Sequence, residues 1–193
     1  MRRASLLAVV GAVLVVAFSG VAVAAVITCT GGPCFGTSEP DRITGSAQRD
    51  IIEARAGNDE VRAGAGDDEL HGDRGDDDLF GEAGNDTYFG DNGNDTLTED
   101  ATIPSNDEMF GGKNNDNMSA GGGDDLVSGQ VGNDTVAGGV GNDDQRGGDG
   151  DDFIDAKDGE TDKKVSGGYG TDTCRFDQGL DRPKYCEIYQ PVP

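Results

Sequence analysis

The sequence predicts an all-β fold: a parallel β-roll, or β-solenoid, of about fifteen nine-residue units with disulfide-bearing end caps. Three observations carry this. Gly66-Asp67-Asp68-Glu69-Leu70 recurs nine residues on as Gly75-Asp76-Asp77-Asp78-Leu79, then as Gly84-Asn85-Asp86-Thr87-Tyr88 and Gly93-Asn94-Asp95-Thr96-Leu97. After a slip of three residues the phase resumes, for example at Gly123-Asp124-Asp125-Leu126-Val127 and Gly132-Asn133-Asp134-Thr135-Val136. The unit reads G-G-x-G-[ND]-D-x-U-x, with U apolar, and the four cysteines stand outside or at the margins of the repeats.

In chain order, Met1-Arg2-Arg3 is a basic start, followed by an apolar run and Ala22-Val23-Ala24. This is the pattern of a secretory leader over 1–24, with an uncleaved anchor as the competing reading. Residues 25–35 form a cap holding Cys29 and Cys34. The roll is expected over 36–175, and a second cap over 176–193 carries Cys186. In an exported chain four cysteines favour disulfides. Three connectivities are open. The local pairs 29–34 and 174–186 are favoured because a solenoid holds its ends apart.

Within 36–175, Asp takes the sixth place in fourteen of the fifteen units, and Lys163 takes it in the fourteenth unit. The eighth place is apolar except at Gln145, and insertions fall near 99–101 and 156–157. The triplet x-U-x makes one short strand whose middle side chain points inward. The remaining residues, rich in Gly, Asn and Asp, make a turn. Two such units form one coil, and coils stack at about 4.8 Å.

One buried side chain per nine residues is too little to offset the ordering of nine backbones. The net charge of -23 makes matters worse, because packed carboxylates repel. Stacking brings sixth-place Asp residues and turn carbonyls together as hard oxygen donors. Ca²⁺ suits such donors, whereas Mg²⁺ is stricter in geometry and Zn²⁺ prefers His or Cys. Calcium ions are therefore the expected partner and cofactor, in several copies. Nucleic acid is not expected, since phosphate recognition needs positive charge. No membrane contact is expected once a leader is removed.

The units resemble the RTX, or haemolysin-type, calcium-binding nonapeptide repeat. The resemblance implies a parallel β-roll with Ca²⁺ between successive turns. It implies as metal ligands Asp59, Asp68, Asp77, Asp86, Asp95, Asp107, Asp116, Asp125, Asp134, Asp143, Asp152 and Asp172. Units one, two, eight and nine depart from the pattern, with Glu39, Gln48, Ser105 and Asn114 where Gly is expected. That puts the sites of Asp41, Asp50, Asp107 and Asp116 in question. The Lys163 unit is expected to bind nothing. Many proteins with such repeats carry a toxin, protease or lipase domain, and these 193 residues leave no stretch for one.

No H-E-x-x-H, G-x-S-x-G or P-loop is present. His71, in the ninth place, reads as a solvated surface residue. Phe89 and Phe110 share a sheet and could form an exposed ladder or simply shield the strand. The expectation is a non-catalytic, secreted calcium-binding roll, acting at a surface or in a matrix. The alternatives are an adhesion or partner-binding module that calcium makes rigid, and, with least support, a hydrolase.

Overall fold

The computed structural model describes residues 25–100, 102–177, 179, 183–186 and 188–192. The leader expected over 1–24 lies outside the described residues. Eighteen strands follow one another: β1 (Ala25–Thr28), β2 (Gly32–Phe35), β3 (Asp41–Thr44), β4 (Asp50–Glu53), β5 (Glu60–Ala65), β6 (Glu69–His71), β7 (Asp78–Ala83), β8 (Thr87–Asn92), β9 (Thr96–Thr98), β10 (Glu108–Lys113), β11 (Asn117–Ser119), β12 (Leu126–Val131), β13 (Thr135–Ala137), β14 (Asp144–Asp149), β15 (Phe153–Ala156), β16 (Lys164–Tyr169), β17 (Thr173–Asp177) and β18 (Ile188–Val192). No helix occurs among the described residues.

Successive strands alternate between two sheets. The odd-numbered strands and β18 form one sheet, in the order β1-β3-β5-β7-β9-β11-β13-β15-β17-β18. The even-numbered strands from β16 back to β2 form the other. A strand's neighbour in its sheet is thus the equivalent strand of the next coil, and all pairs are parallel. The chain makes about eight turns. Fifteen units is a division of the sequence, and the strands do not reproduce it one for one. The ladders also run into both end segments, through β1, β2 and β18.

Register places the eighth-place residues directly on one another. In the first sheet Val61, Leu79, Leu97, Met118, Val136, Ile154 and Cys174 are successive partners. In the second sheet the row is Cys34, Ile52, Leu70, Tyr88, Met109, Val127, Gln145 and Val165. These side chains are buried between the sheets while their neighbours alternate outward. The period of two in a strand makes this the only face that one apolar residue per triplet can fill.

The turns are tight because coil rests on coil. Gly75 has φ +130, and a β-carbon there would collide with the carbonyl of Gly57 one coil back. Only glycine meets both demands. The disulfides are the local ones favoured by the sequence: Cys29–Cys34, with Cα atoms 5.8 Å apart, and Cys174–Cys186, at 6.0 Å. The first closes the turn between β1 and β2. The second ties the segment before β18 to β17.

Candidate metal centre

The sixth-place Asp stands just before or at the start of each strand, where its side chain turns into the roll. The result is two rows, one beside each sheet. The backbone N–H of each Asp donates to Oδ1 of its equivalent in the next coil. Asp41 to Asp59, Asp59 to Asp77, Asp77 to Asp95, Asp95 to Asp116, Asp116 to Asp134, Asp134 to Asp152 and Asp152 to Asp172 span 2.6–2.9 Å. The second row runs Asp50, Asp68, Asp86, Asp107, Asp125, Asp143 at 2.7–2.9 Å.

One oxygen of each carboxylate is therefore used by the backbone. The other, Oδ2, is buried without a hydrogen-bond partner in Asp59, Asp68, Asp77, Asp86, Asp95, Asp116, Asp125, Asp134, Asp143 and Asp152. Such an atom is costly to bury. Its surroundings are acceptors too. The spot where a β-carbon on Gly111 would stand lies 2.5 Å from Asp116 Oδ2 and 2.8 Å from the Gly129 carbonyl. On Gly72 the same spot faces Asp77 Oδ2 at 2.6 Å and the Gly90 carbonyl at 2.8 Å. First-place glycine thus leaves a cradle that a larger residue would fill, walled by oxygen atoms. These donors fit a calcium ion. Among the described residues no three His, Cys, Asp or Glu side chains gather as a metal cluster. A cation here would be held by rows of single carboxylates together with backbone carbonyls.

Electrostatics point the same way. Burial pushes the carboxyls of Asp77, Asp86, Asp95, Asp116, Asp125 and Asp152 from the ordinary 3.8 up to about 7, and those of Asp59 and Asp143 up to about 6. The backbone hydrogen bond from the preceding coil opposes this without cancelling it. Asp68, Asp107 and Asp134 are raised by the same cause. At neutral pH the rows need either protons or a bound cation.

The units that depart from the repeat solve the problem differently. Thr37 donates its N–H to Asp41 Oδ2 at 2.6 Å. Ser46 donates both N–H and Oγ to Asp50 Oδ2, at 2.7 and 2.8 Å. Ser105 Oγ donates to Asp107 Oδ2 at 3.0 Å. In each case protein donors occupy the oxygen that other units leave open. Asp116, in the unit of Asn114, keeps its Oδ2 open like the regular units. In the fourteenth unit Asp162, not Lys163, continues the row, accepting the Asp143 N–H at 3.0 Å. Lys163 lies at the surface, 3.5 Å from Asp124. Asp172 is buried at the end of its row.

A further ladder was not foreseen from the sequence. Fifth-place Asn and Asp side chains accept backbone N–H groups of the following coil, as in Asn94 N–H to Asp76 Oδ1 at 2.8 Å and Asn133 N–H to Asn115 Oδ1 at 2.8 Å. The signal was present in the Asn or Asp at the fifth place of units three to thirteen. On the outer face of the second sheet, His71 stacks on Phe89 at 4.6 Å, and Phe89 on Phe110 at 5.3 Å. His71 also meets Glu69 at 3.2 Å and Asp91 at 3.7 Å. It belongs to this surface stack and not to the Asp rows.

A two-sheet parallel solenoid whose turns stack carboxylates and carbonyls defines a class: repeat proteins built around hard cations. The RTX calcium-binding nonapeptide repeat matches this chain in four copies, over residues 35–70, 62–97, 110–145 and 128–160. The chain belongs to that family, whose repeats bind calcium. The gap between the second and third copies coincides with the insertion near 99–101. No curated protein matches the chain.

Proposed function

We propose that this protein is a calcium-ordered β-roll that acts as a structural element, without catalysis, outside the cell. The observation that carries the reading is the set of ten buried Asp Oδ2 atoms without a hydrogen-bond partner. Asp59, Asp68, Asp77, Asp86, Asp95, Asp116, Asp125, Asp134, Asp143 and Asp152 would hold the ions together with turn carbonyls, and Asp172 would close its row. Bound calcium would neutralise the rows and join consecutive coils, so that binding energy becomes folding energy. Asp107, with Ser105 on its free oxygen, is the weakest of the expected ligands. Export is supported by the leader pattern of residues 1–24 and by the two disulfides.

Far-UV circular dichroism of the oxidised protein, titrated with CaCl₂ and separately with MgCl₂, tests this. The expected result is a coil-to-β transition with calcium alone, in the range of about 10⁻⁴ to 10⁻³ M found for extracellular calcium modules. A spectrum already rich in β-structure in EDTA at neutral pH, and indifferent to calcium, would sink the reading. One observation favours a second reading, a rigid partner-binding module: the half-buried stack of His71, Phe89 and Phe110 on an outer face. A partner retained only with calcium, and lost when both phenylalanines are changed, would support it.

A further inference from the structure

Glu99 opens the insertion and takes the first place of its turn, eighteen residues after Gly81. Its backbone N–H bonds to Ser119 of the next coil at 2.9 Å, as first-place residues do elsewhere in the roll. Most first places carry Gly, and the carbonyl of the next coil then walls the cradle. Here the Glu99 side chain folds back over Gly81. Asp86 Oδ2, Tyr88 Oη and Glu99 Oε1 converge on the spot where a β-carbon on Gly81 would stand.

Glu99 is 6% exposed and firmly held. The Tyr88 hydroxyl and the Glu82 N–H, the latter at 2.7 Å, both donate to Oε1. The Gly81 N–H donates to Tyr88 Oη at 2.8 Å. None of these donors reaches Asp86 Oδ2, which stays buried and without a hydrogen-bond partner. Two carboxylates thus face one another inside the roll, and only one is satisfied by protein donors. A cavity of about 510 Å³, lined by Arg62, Phe80, Glu82, Thr98, Glu99 and Asp100 among others, opens beside Glu99 to solvent.

We propose that Asp86 and Glu99 form a cation site unlike the others in the roll, in which a side-chain carboxylate from the insertion stands where regular coils offer a backbone carbonyl. The site takes a hard cation, and its added negative charge makes it the tightest in its row. Tyr88 positions Glu99 and lies against the site. The proposal rests on the calcium reading above.

Tyr88 also supplies the readout. The chain has no Trp, and of its four Tyr residues Tyr169 and Tyr185 are exposed at 82% and 71%. Tyrosine-sensitised Tb³⁺ luminescence of the full oxidised chain should therefore report an ion beside Tyr88. Wild type should give strong emission, and Tyr88→Phe should remove the part of it that arises beside Glu99. Glu99→Gln keeps an acceptor for Tyr88 and Glu82 and removes only the charge. It should still fold with CaCl₂ by circular dichroism, while its Tb³⁺ midpoint rises about tenfold or more. An unchanged midpoint in Glu99→Gln, with the calcium transition intact, would overturn the proposal and reduce Glu99 to a hydrogen-bond acceptor. Weak wild-type emission that Tyr88→Phe leaves unaltered would overturn it as well. Absence of any calcium transition in the wild type would instead remove the calcium reading, and this proposal with it.

Discussion

Gln145 donates its side-chain Nε2 to Asp162 Oδ2 at 3.2 Å, joining the unit that breaks the apolar eighth place to the unit that breaks the sixth-place Asp. Gln145 sits in the apolar row of the second sheet yet is fully buried. Asp162 continues the Asp row because the chain slips by one residue ahead of Lys163. The amide takes the role that an ion is proposed to take elsewhere. Gln145→Ala deprives a half-buried carboxylate of that donor and should destabilise the calcium-loaded roll by about 1–3 kcal/mol. Urea unfolding in saturating calcium measures this, and an unchanged midpoint would show that the pair contributes nothing.

Regular and hydroxyl-filled sites should respond differently to loss of charge. Asp77→Asn keeps an oxygen for the Asp59 N–H but weakens a cation's hold, and should raise the calcium midpoint by about threefold to tenfold. Asp41→Asn, where Thr37 already fills the carboxylate, should move it by less than about twofold. Equal shifts in the two variants, read by circular dichroism, would contradict the distinction.

Without calcium the fold should be an acid-stable one. Burial holds Asp77, Asp86, Asp95 and Asp116 near 7, against an ordinary 3.8, so the folded state binds more protons than the unfolded chain. Their contribution to stability is fully present below 3.8 and is lost as pH rises through about 6 to 7. In EDTA the β signal should accordingly fall across pH 6 to 7. Calcium should abolish that fall, and a pH-independent signal in EDTA would contradict the account.

Glycines of the cradle should be far less replaceable than glycines outside it. A β-carbon on Gly111 would stand 2.5 Å from Asp116 Oδ2, whereas one on Gly159 meets nothing within 4 Å. Gly111→Ala should cost about 1–3 kcal/mol and raise the calcium midpoint. Gly159→Ala, at φ +94, should cost about 1 kcal/mol of backbone strain and leave the midpoint alone. Paired calcium and urea titrations separate the two effects.

The sheets, the inward apolar rows, the Asp rows and the local disulfides were legible because each depends on sequence spacing alone. Asp59 and Asp77 must stack once a coil has eighteen residues. What stayed hidden depends on which oxygen of a side chain meets which donor. Glu39, Gln48 and Ser105 mark the units of Asp41, Asp50 and Asp107 as irregular in the sequence, but the donors that fill those carboxylates, on Thr37, Ser46 and Ser105, are seen only in the structure. Glu99 read as part of an insertion, although it holds a first place and reaches back over Gly81. Lys163 and Gln145 read as separate exceptions, because counting cannot show that the insertion near 156–157 shifts the row by one residue onto Asp162.

The eighteen-residue step that aligns Val61 with Leu79 and Leu70 with Tyr88 also makes the molecule a ruler graduated in whole coils. Excising residues 67–84 would shorten it by one graduation and rejoin both sheets in phase. Excising only 67–75 would carry every later strand to the opposite sheet and every later carboxylate into the opposite row. The length of this rod can be edited freely, but only in steps of two units.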